Sequence, residues 1–192
     1  VTVATFNLLN YFNSPFGGSQ NPTKTNRGAK SAGEFAMQSQ KIVHAITALD
    51  ADIIGLMEIE NDGYAANSAL SQLVEQLNTA YGMSVYNMVV PSSLLLGGDQ
   101  ISVAMIYRSD RVIPVGDVAS TGAAPFDYGS RQPLAQTFSH INGGGRITVV
   151  VNHFKSKGGC SSASGANQDQ NDGQACWNAM RVDSSQSLAL WL

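Results

Sequence analysis

Several polar residues stand where strand-like runs end, and their types are those that bind a metal ion or a phosphate. Glu58 closes the run DIIGLME, residues 52–58. A carboxylate at the C-terminal edge of a buried strand is well placed to hold a hard cation such as Mg2+ or Ca2+, which takes oxygen ligands. Glu60 lies two residues on, is expected to face the same side in an extended chain, and is a rival ligand. Asn7 ends the first run, in TFNLLNYF. Its amide could ligate a metal or orient an acid, or it could simply form a turn. In VVVNHFKSKGG, three valines deliver Asn152, His153 and Lys155. A histidine there can donate to a phosphate oxygen or act as a general acid. Lys155 and Lys157 can reach a phosphate as point charges. A rim histidine and solvated lysines are the plain alternatives. Arg131, in SRQPLAQTF, can clamp a phosphate with two N–H groups, or it can be a surface residue at a turn. Each signal is weak alone. Their shared position at strand termini would let one cleft gather them around a metal and a phosphate.

The elements that must position them follow from hydrophobic spacing. Residues 1–9, VTVATFNLL, alternate and begin β-branched, as a strand does. Residues 10–33 are rich in Asn, Gly, Ser, Pro and Thr and read as a long loop, which would serve as a lid, a substrate guide or nothing ordered. Residues 34–49 place Phe35, Ile42, Val43, Ile46 and Leu49 at helical spacing. A buried strand at 52–58 and a helix at 65–80 come next. Strands near 84–90, 101–108 and 111–118 follow, then a loop at 119–130. Strands at 133–140 and 145–153 are joined by the turn Asn142–Gly145. A helix spans 178–192. Strand-helix-strand-helix followed by hairpins predicts an α/β fold, a layered sandwich of mixed β-sheets flanked by helices.

With 192 residues and 43% apolar content, the chain can build one core. Charged residues make up only 13%, and the net charge is -3, which argues mildly against a non-specific nucleic-acid coat. It does not exclude a nuclease, because a bound divalent cation supplies positive charge where a phosphate sits. No apolar run approaches a membrane span. Val1 starts directly in a strand-like run with no signal peptide before it, so the chain reads as an excised or processed piece. Cys160 and Cys176 border a polar loop, and neither has a second Cys or a His at metal-site spacing. Two free thiols are one reading. A disulfide is the better one, because it would staple a long polar loop, and it implies an oxidising compartment.

Taken in order, TFNLLNYF, DIIGLMEIEN, SVAMIYR, SRQPLAQTF and VVNHFKSKG resemble the endonuclease/exonuclease/phosphatase superfamily. The likeness is nearest to large bacterial extracellular nucleases, in which NHFKSKG precedes a Cys-containing loop and a WN-x-x-R helix, here Trp177–Arg181. The resemblance implies Glu58 as principal metal ligand, with Asn7 supporting the metal. It implies Arg131 on the phosphate region and His153 on the scissile phosphate, beside Asn152 and Lys155 as substrate contacts. Tyr107 and Arg108 would be scaffold. It further implies a divalent metal, with Mg2+ ahead of Ca2+ and Mn2+, a nucleic-acid substrate held by its backbone, no membrane, and a secreted, extracellular or periplasmic setting.

The family's later D-x-N strand, a further Asp and an Asp-His pair have no counterpart. Asp169-Gln170-Asn171 spells D-x-N but sits in a polar loop, and His44 and His140 come too early in the order. Residues 1–192 are therefore expected to be the N-terminal portion of one domain, inactive without a further C-terminal segment. Lipid or small phosphoesters are the rival substrates, and a secreted binding module is the rival class.

Overall fold

Hydrophobic spacing builds two packed β-sheets flanked by helices. A computed structural model describes residues 1–19, 25–93 and 95–192. In chain order the elements are β1 (Val3–Tyr11), α1 (Ala32–Leu49), β2 (Ile53–Glu60), α2 (Ala69–Tyr81), β3 (Tyr86–Met88), β4 (Ile101–Arg108), β5 (Val112–Ser120), β6 (Leu134–His140), β7 (Arg146–Val151) and α3 (Asn178–Trp191). Two short 3-10 turns, Cys160–Ser162 and Gly165–Asn167, punctuate the polar loop before α3.

One sheet has the order β1-β2-β4-β3, the other β5-β6-β7. β1 and β2 run parallel, with α1 as the crossover, while all other pairings are antiparallel. β2 and β4 are covered on both faces, which is why they read as unbroken apolar runs rather than alternating ones. On one face Ile54, Leu56, Ala104 and Ile106 pack with Phe35, Ile42, Ile46, Leu70, Leu73 and Leu77 of the two helices. On the other, Ile53, Val103 and Met105 meet Leu134, Phe138 and Val151 of the second sheet. Each of these Val, Leu, Ile, Phe and Met side chains is worth about 1.5–3 kcal/mol. Gly55 sets how closely the sheets approach, since a Cβ there would lie 2.8 Å from Val151 Cγ2.

The first two helices begin at side-chain caps. Ser31 accepts from Glu34 N at 3.2 Å and Ser68 from Ser71 N at 3.3 Å. Gly82, at φ 71°, ends α2 in the left-handed conformation that glycine adopts freely. At the end of β4, Arg108 is buried against Tyr81, with Asp50 and Asp110 on its N–H groups, and Tyr107 packs on Phe138. Both residues are scaffold.

The boundaries shift from expectation for local reasons. β1 continues past residue 9 to Tyr11, because Tyr11 is fully buried and pairs with Ile59. α1 starts two residues early, at its Ser31 cap, whereas α2 starts at Ala69 rather than 65. β7 stops at Val151, so Asn152 and His153 lie beyond the strand. Of the long loop at 10–33, residues 20–24 fall outside the described residues, and its near flank is anchored. Asn13 N and Ser14 N donate to Glu60 Oε2 at 3.0 and 3.1 Å. Cys160 and Cys176 form a disulfide. Among the described residues, no helix is long and apolar enough to cross a membrane.

Candidate active site

β1 and β2 both break register at one level. Leu9, Asn10 and Glu58 have φ of 59°, 56° and 62°, left-handed positions that a non-glycine residue occupies at a cost of about 1–3 kcal/mol each. The β1–β2 register jumps between Asn7 and Tyr11, and that of β2–β4 between Met57 and Ile59. A bulge re-aims the side chain it carries, and Glu58 and Glu60 consequently do not share surroundings. Asn7 Nδ2 donates to Glu58 Oε1 at 3.0 Å, and Asn10 N donates to Oε2 at 3.1 Å. Asn7 Oδ1 accepts from Leu9 N at 2.8 Å, which fixes the amide with its nitrogen toward the carboxylate. Asn7 thus sits within β1 rather than at its end, and it turns a donor, not its oxygen, toward Glu58.

Glu60 is 2% exposed and receives Asn13 N, Ser14 N and the Ser14 hydroxyl. The same-side rival ligand expected from alternation is a buried anchor for the chain after β1. The bulge at Glu58 is the physical reason.

His153 brings its Nε2 to 3.6 Å from Glu58 Oε1. Burial lowers its pKa, and Arg131 adds to this against the opposing pull of Glu58 and Asp99. Burial thus favours the neutral imidazole, and the nearby carboxylate favours the tautomer with its proton on Nε2. Nδ1 is buried without a partner.

Arg131 joins this end of the second sheet together. Its backbone N–H donates to the His153 carbonyl at 3.0 Å. Its guanidinium pairs with Asp99 at 2.9 Å and donates to Gly129 O at 3.3 Å, leaving Nε buried without a partner. Arg27 meets the other Asp99 oxygen at 3.3 Å. Lys155 lies with its ammonium 4.7 Å from the centre of the Trp177 ring, and its N–H donates to Ser130 Oγ at 3.2 Å. Ser130 Oγ meets Ser184 Oγ of α3 at 2.8 Å. Asn152 Nδ2 donates to Val150 O at 3.2 Å, while its Oδ1 is buried and unpaired. Lys157 is exposed.

The structure thus brings Glu58, Asn7 and His153 into one group, with Arg131 tied to it through the chain and Asn152 and Lys155 flanking His153. Asp169 and Asn171 close their own turn, Asn171 N donating to Asp169 Oδ1 at 2.9 Å. His140 Nδ1 accepts from Asn142 N at 3.1 Å in its hairpin. Sequence reasoning passed over Asp99 and Arg27. Asp99 carries a faint signal, an acid after two glycines and two residues before β4, and Arg27 carries none.

Among the described residues, no group of three or more His, Cys, Asp or Glu could hold a metal ion. Glu58 still fits Mg2+, which keeps several waters and binds through one or two carboxylates together with substrate phosphates.

No family model matches the chain, and no curated protein matches its sequence. Among solved structures it is similar to ANGEL2, a 2',3'-cyclic phosphatase, at 15% identity and TM-score 0.48, covering 79% of this chain and 40% of that one. It is similar to an endonuclease/exonuclease/phosphatase family protein from Bacteroides thetaiotaomicron at 15% identity and TM-score 0.45, covering 78% and 49%. It is also similar to the human Nocturnin catalytic domain at 13% identity and TM-score 0.45, covering 82% and 53%. The chain spans roughly half the length of these structures.

Proposed function

We propose that this chain carries the metal-binding half of a phosphodiesterase site that hydrolyses nucleic acid, within the N-terminal portion, residues 1–192, of one endonuclease/exonuclease/phosphatase-type domain. The observation that carries the reading is the Glu58 carboxylate, oriented by Asn7 Nδ2 and Asn10 N with His153 Nε2 beside it. Glu58 would hold a divalent cation, Mg2+ by preference, with Ca2+ or Mn2+ as alternatives. Such a cation supplies charge for a phosphate oxygen and for the leaving oxyanion. Asn7 orients the carboxylate. His153 donates from Nε2 to a non-bridging phosphate oxygen, where negative charge grows in the transition state. Arg131 and Lys155 add fixed positive charge beside it. In this reading the base for the attacking water would come from a further C-terminal segment. Contact with the backbone rather than base edges makes binding salt-sensitive and sequence-tolerant. The disulfide supports an oxidising setting, extracellular or periplasmic.

The test joins binding to activity. Mg2+, Mn2+ and Ca2+ are titrated into this chain and its Glu58→Gln variant, and plasmid DNA and RNA are offered to it and to a chain extended at its C-terminus. We expect metal binding that Glu58→Gln removes, and cleavage by the extended chain alone. Robust cleavage by residues 1–192 would refute the half-site. Hydrolysis of sphingomyelin or inositol phosphates, with nucleic acid untouched, would replace the substrate class.

A further inference from the structure

Arg131, whose backbone N–H holds the His153 carbonyl, also lines a polar cleft of about 630 Å³. Arg27, Arg131 and Lys155 line it, with Asp99 and Asp127 as counter-charges. Three cations against two carboxylates make it locally positive on a chain whose net charge is -3. Asp99 does not cancel the arginines so much as fix them. One carboxylate holds Arg131 at 2.9 Å and Arg27 at 3.3 Å, through one oxygen each. The forks keep N–H groups that Asp99 cannot take, since a guanidinium carries five donors. Arg131 Nε is one of them, buried and unpartnered.

Two further features suit an anion. Lys155 is seated on Trp177 at 4.7 Å, and its pKa is lowered by burial and then by Arg131 and Arg181, a repulsion that a bound anion relieves. Tyr128 stands on the rim with 70% of its surface exposed, an aromatic face open to a base. Arg131 belongs to both places, because its backbone holds the His153 carbonyl while its side chain lines the cleft.

We propose that this cleft is a second phosphate subsite, which takes the phosphodiester adjacent to the scissile one in a single-stranded nucleic acid and seats the neighbouring base on Tyr128. The proposal rests on the nucleic-acid reading above and adds what distinguishes a strand from a small phosphoester. A lone phosphate held at Glu58 and His153 leaves the Arg27 end of the cleft unmatched. A strand fills both positions and gains the charge and stacking terms together. Arg27 and Tyr128 are thereby assigned to substrate binding.

The experiment measures binding with the metal chelated, so that nothing is cleaved and failure here leaves the Glu58 chemistry standing. Thymidine monophosphate and fluorescent oligothymidylates of increasing length are bound to this chain and to its Arg27→Gln, Tyr128→Ala and Arg146→Gln variants, at stepped salt. Arg146 opens β7 in the exposed hairpin, outside the cleft, and controls for net charge. Affinity is expected to rise from the mononucleotide to the short oligomers. Arg27→Gln should weaken oligomer binding about 10-fold and reduce the salt slope by about 1. Tyr128→Ala should weaken it with the slope unchanged, and Arg146→Gln should leave it unchanged. Circular dichroism confirms that each variant is folded. Affinity independent of length, Arg27→Gln behaving like Arg146→Gln, or a duplex binding as tightly as the single strand would each overturn the proposal.

Discussion

Asn7 gives its amide hydrogen to Oε1 of Glu58 at 3.0 Å from the neighbouring parallel strand, while its own oxygen ties back to Leu9 N at 2.8 Å. One side chain thus locks both the carboxylate and the bulge that aims it. Groups that orient a metal-binding carboxylate typically contribute 10–100-fold in metal affinity or activity, and about that loss is expected for Asn7→Ala. Asn7 is exposed, so unfolding in urea should move little. Metal titration against urea midpoint on the same variant separates orientation from folding. A large stability loss with unchanged metal affinity would show Asn7 to be merely structural.

Glu58 and Glu60 should fail in opposite ways. Glu60 is buried under the Asn13 and Ser14 donors, and Glu60→Ala leaves those donors unpaired at a cost of about 1–3 kcal/mol or more. Glu58→Ala should remove metal binding and leave the urea midpoint close to wild type. If Glu60→Ala abolishes metal binding while the fold survives, the assignment of the two carboxylates is reversed.

That pair also shows where the sequence was readable. DIIGLME announced a buried strand with a carboxylate near its end, because a strand covered on both faces has no alternation to hide the apolar run. Strand alternation alone could not tell Glu58 from Glu60, because the difference is a bulge built from Leu9, Asn10 and Glu58, none of them glycine. His153 and Arg131 were legible as strand-terminus polars. Asp99, which holds Arg131, was not, since that ion pair joins the approach to β4 with the approach to β6 and has no local pattern. The disulfide was legible because two cysteines border one polar loop.

Gly55 lets β2 pack closely against Val151 of β7. Gly55→Ala would place a methyl 2.8 Å from Val151 Cγ2, and overpacking of this kind costs about 1–3 kcal/mol. His153 lies just beyond Val151, so metal-dependent turnover in the extended chain should fall as well. Adding Val151→Ala should restore much of both. A Gly55→Ala chain with an unmoved urea midpoint would show that the sheets separate without strain.

The Cys160–Cys176 bond spans a sequence separation of 16 and precedes Trp177, the seat of Lys155. The chain-entropy estimate for such a loop is roughly 3 kcal/mol, an upper figure for a polar loop at the periphery. Reduction, or the double change Cys160→Ser and Cys176→Ser, should lower the melting temperature and alter Trp177 fluorescence by freeing the indole. A Trp177→Phe background identifies which of the two tryptophans reports the change. If neither property moves, the bond is not what positions Trp177.

Asp62 should make stability fall between mildly acid and neutral pH. Burial, with the nearby Glu60 charge, pushes its carboxyl up to about 7, against the Ser19 hydroxyl and Ala69 N–H that it accepts. An acid whose native pKa lies above its unfolded value of about 3.9 binds its proton more tightly when folded. Its contribution is therefore full below about pH 4 and lost as pH rises through about 7. The limiting slope is about 1.4 kcal/mol per pH unit, and partial exposure of this half-buried group reduces it. Asp62→Asn keeps an oxygen for Ala69 N and has no charge to lose. Subtracting its urea stability from that of the wild-type chain at each pH isolates the group. The difference should shift against the wild type from pH 5 to pH 8, and a flat difference would show that Asp62 titrates alike in the folded and unfolded chain.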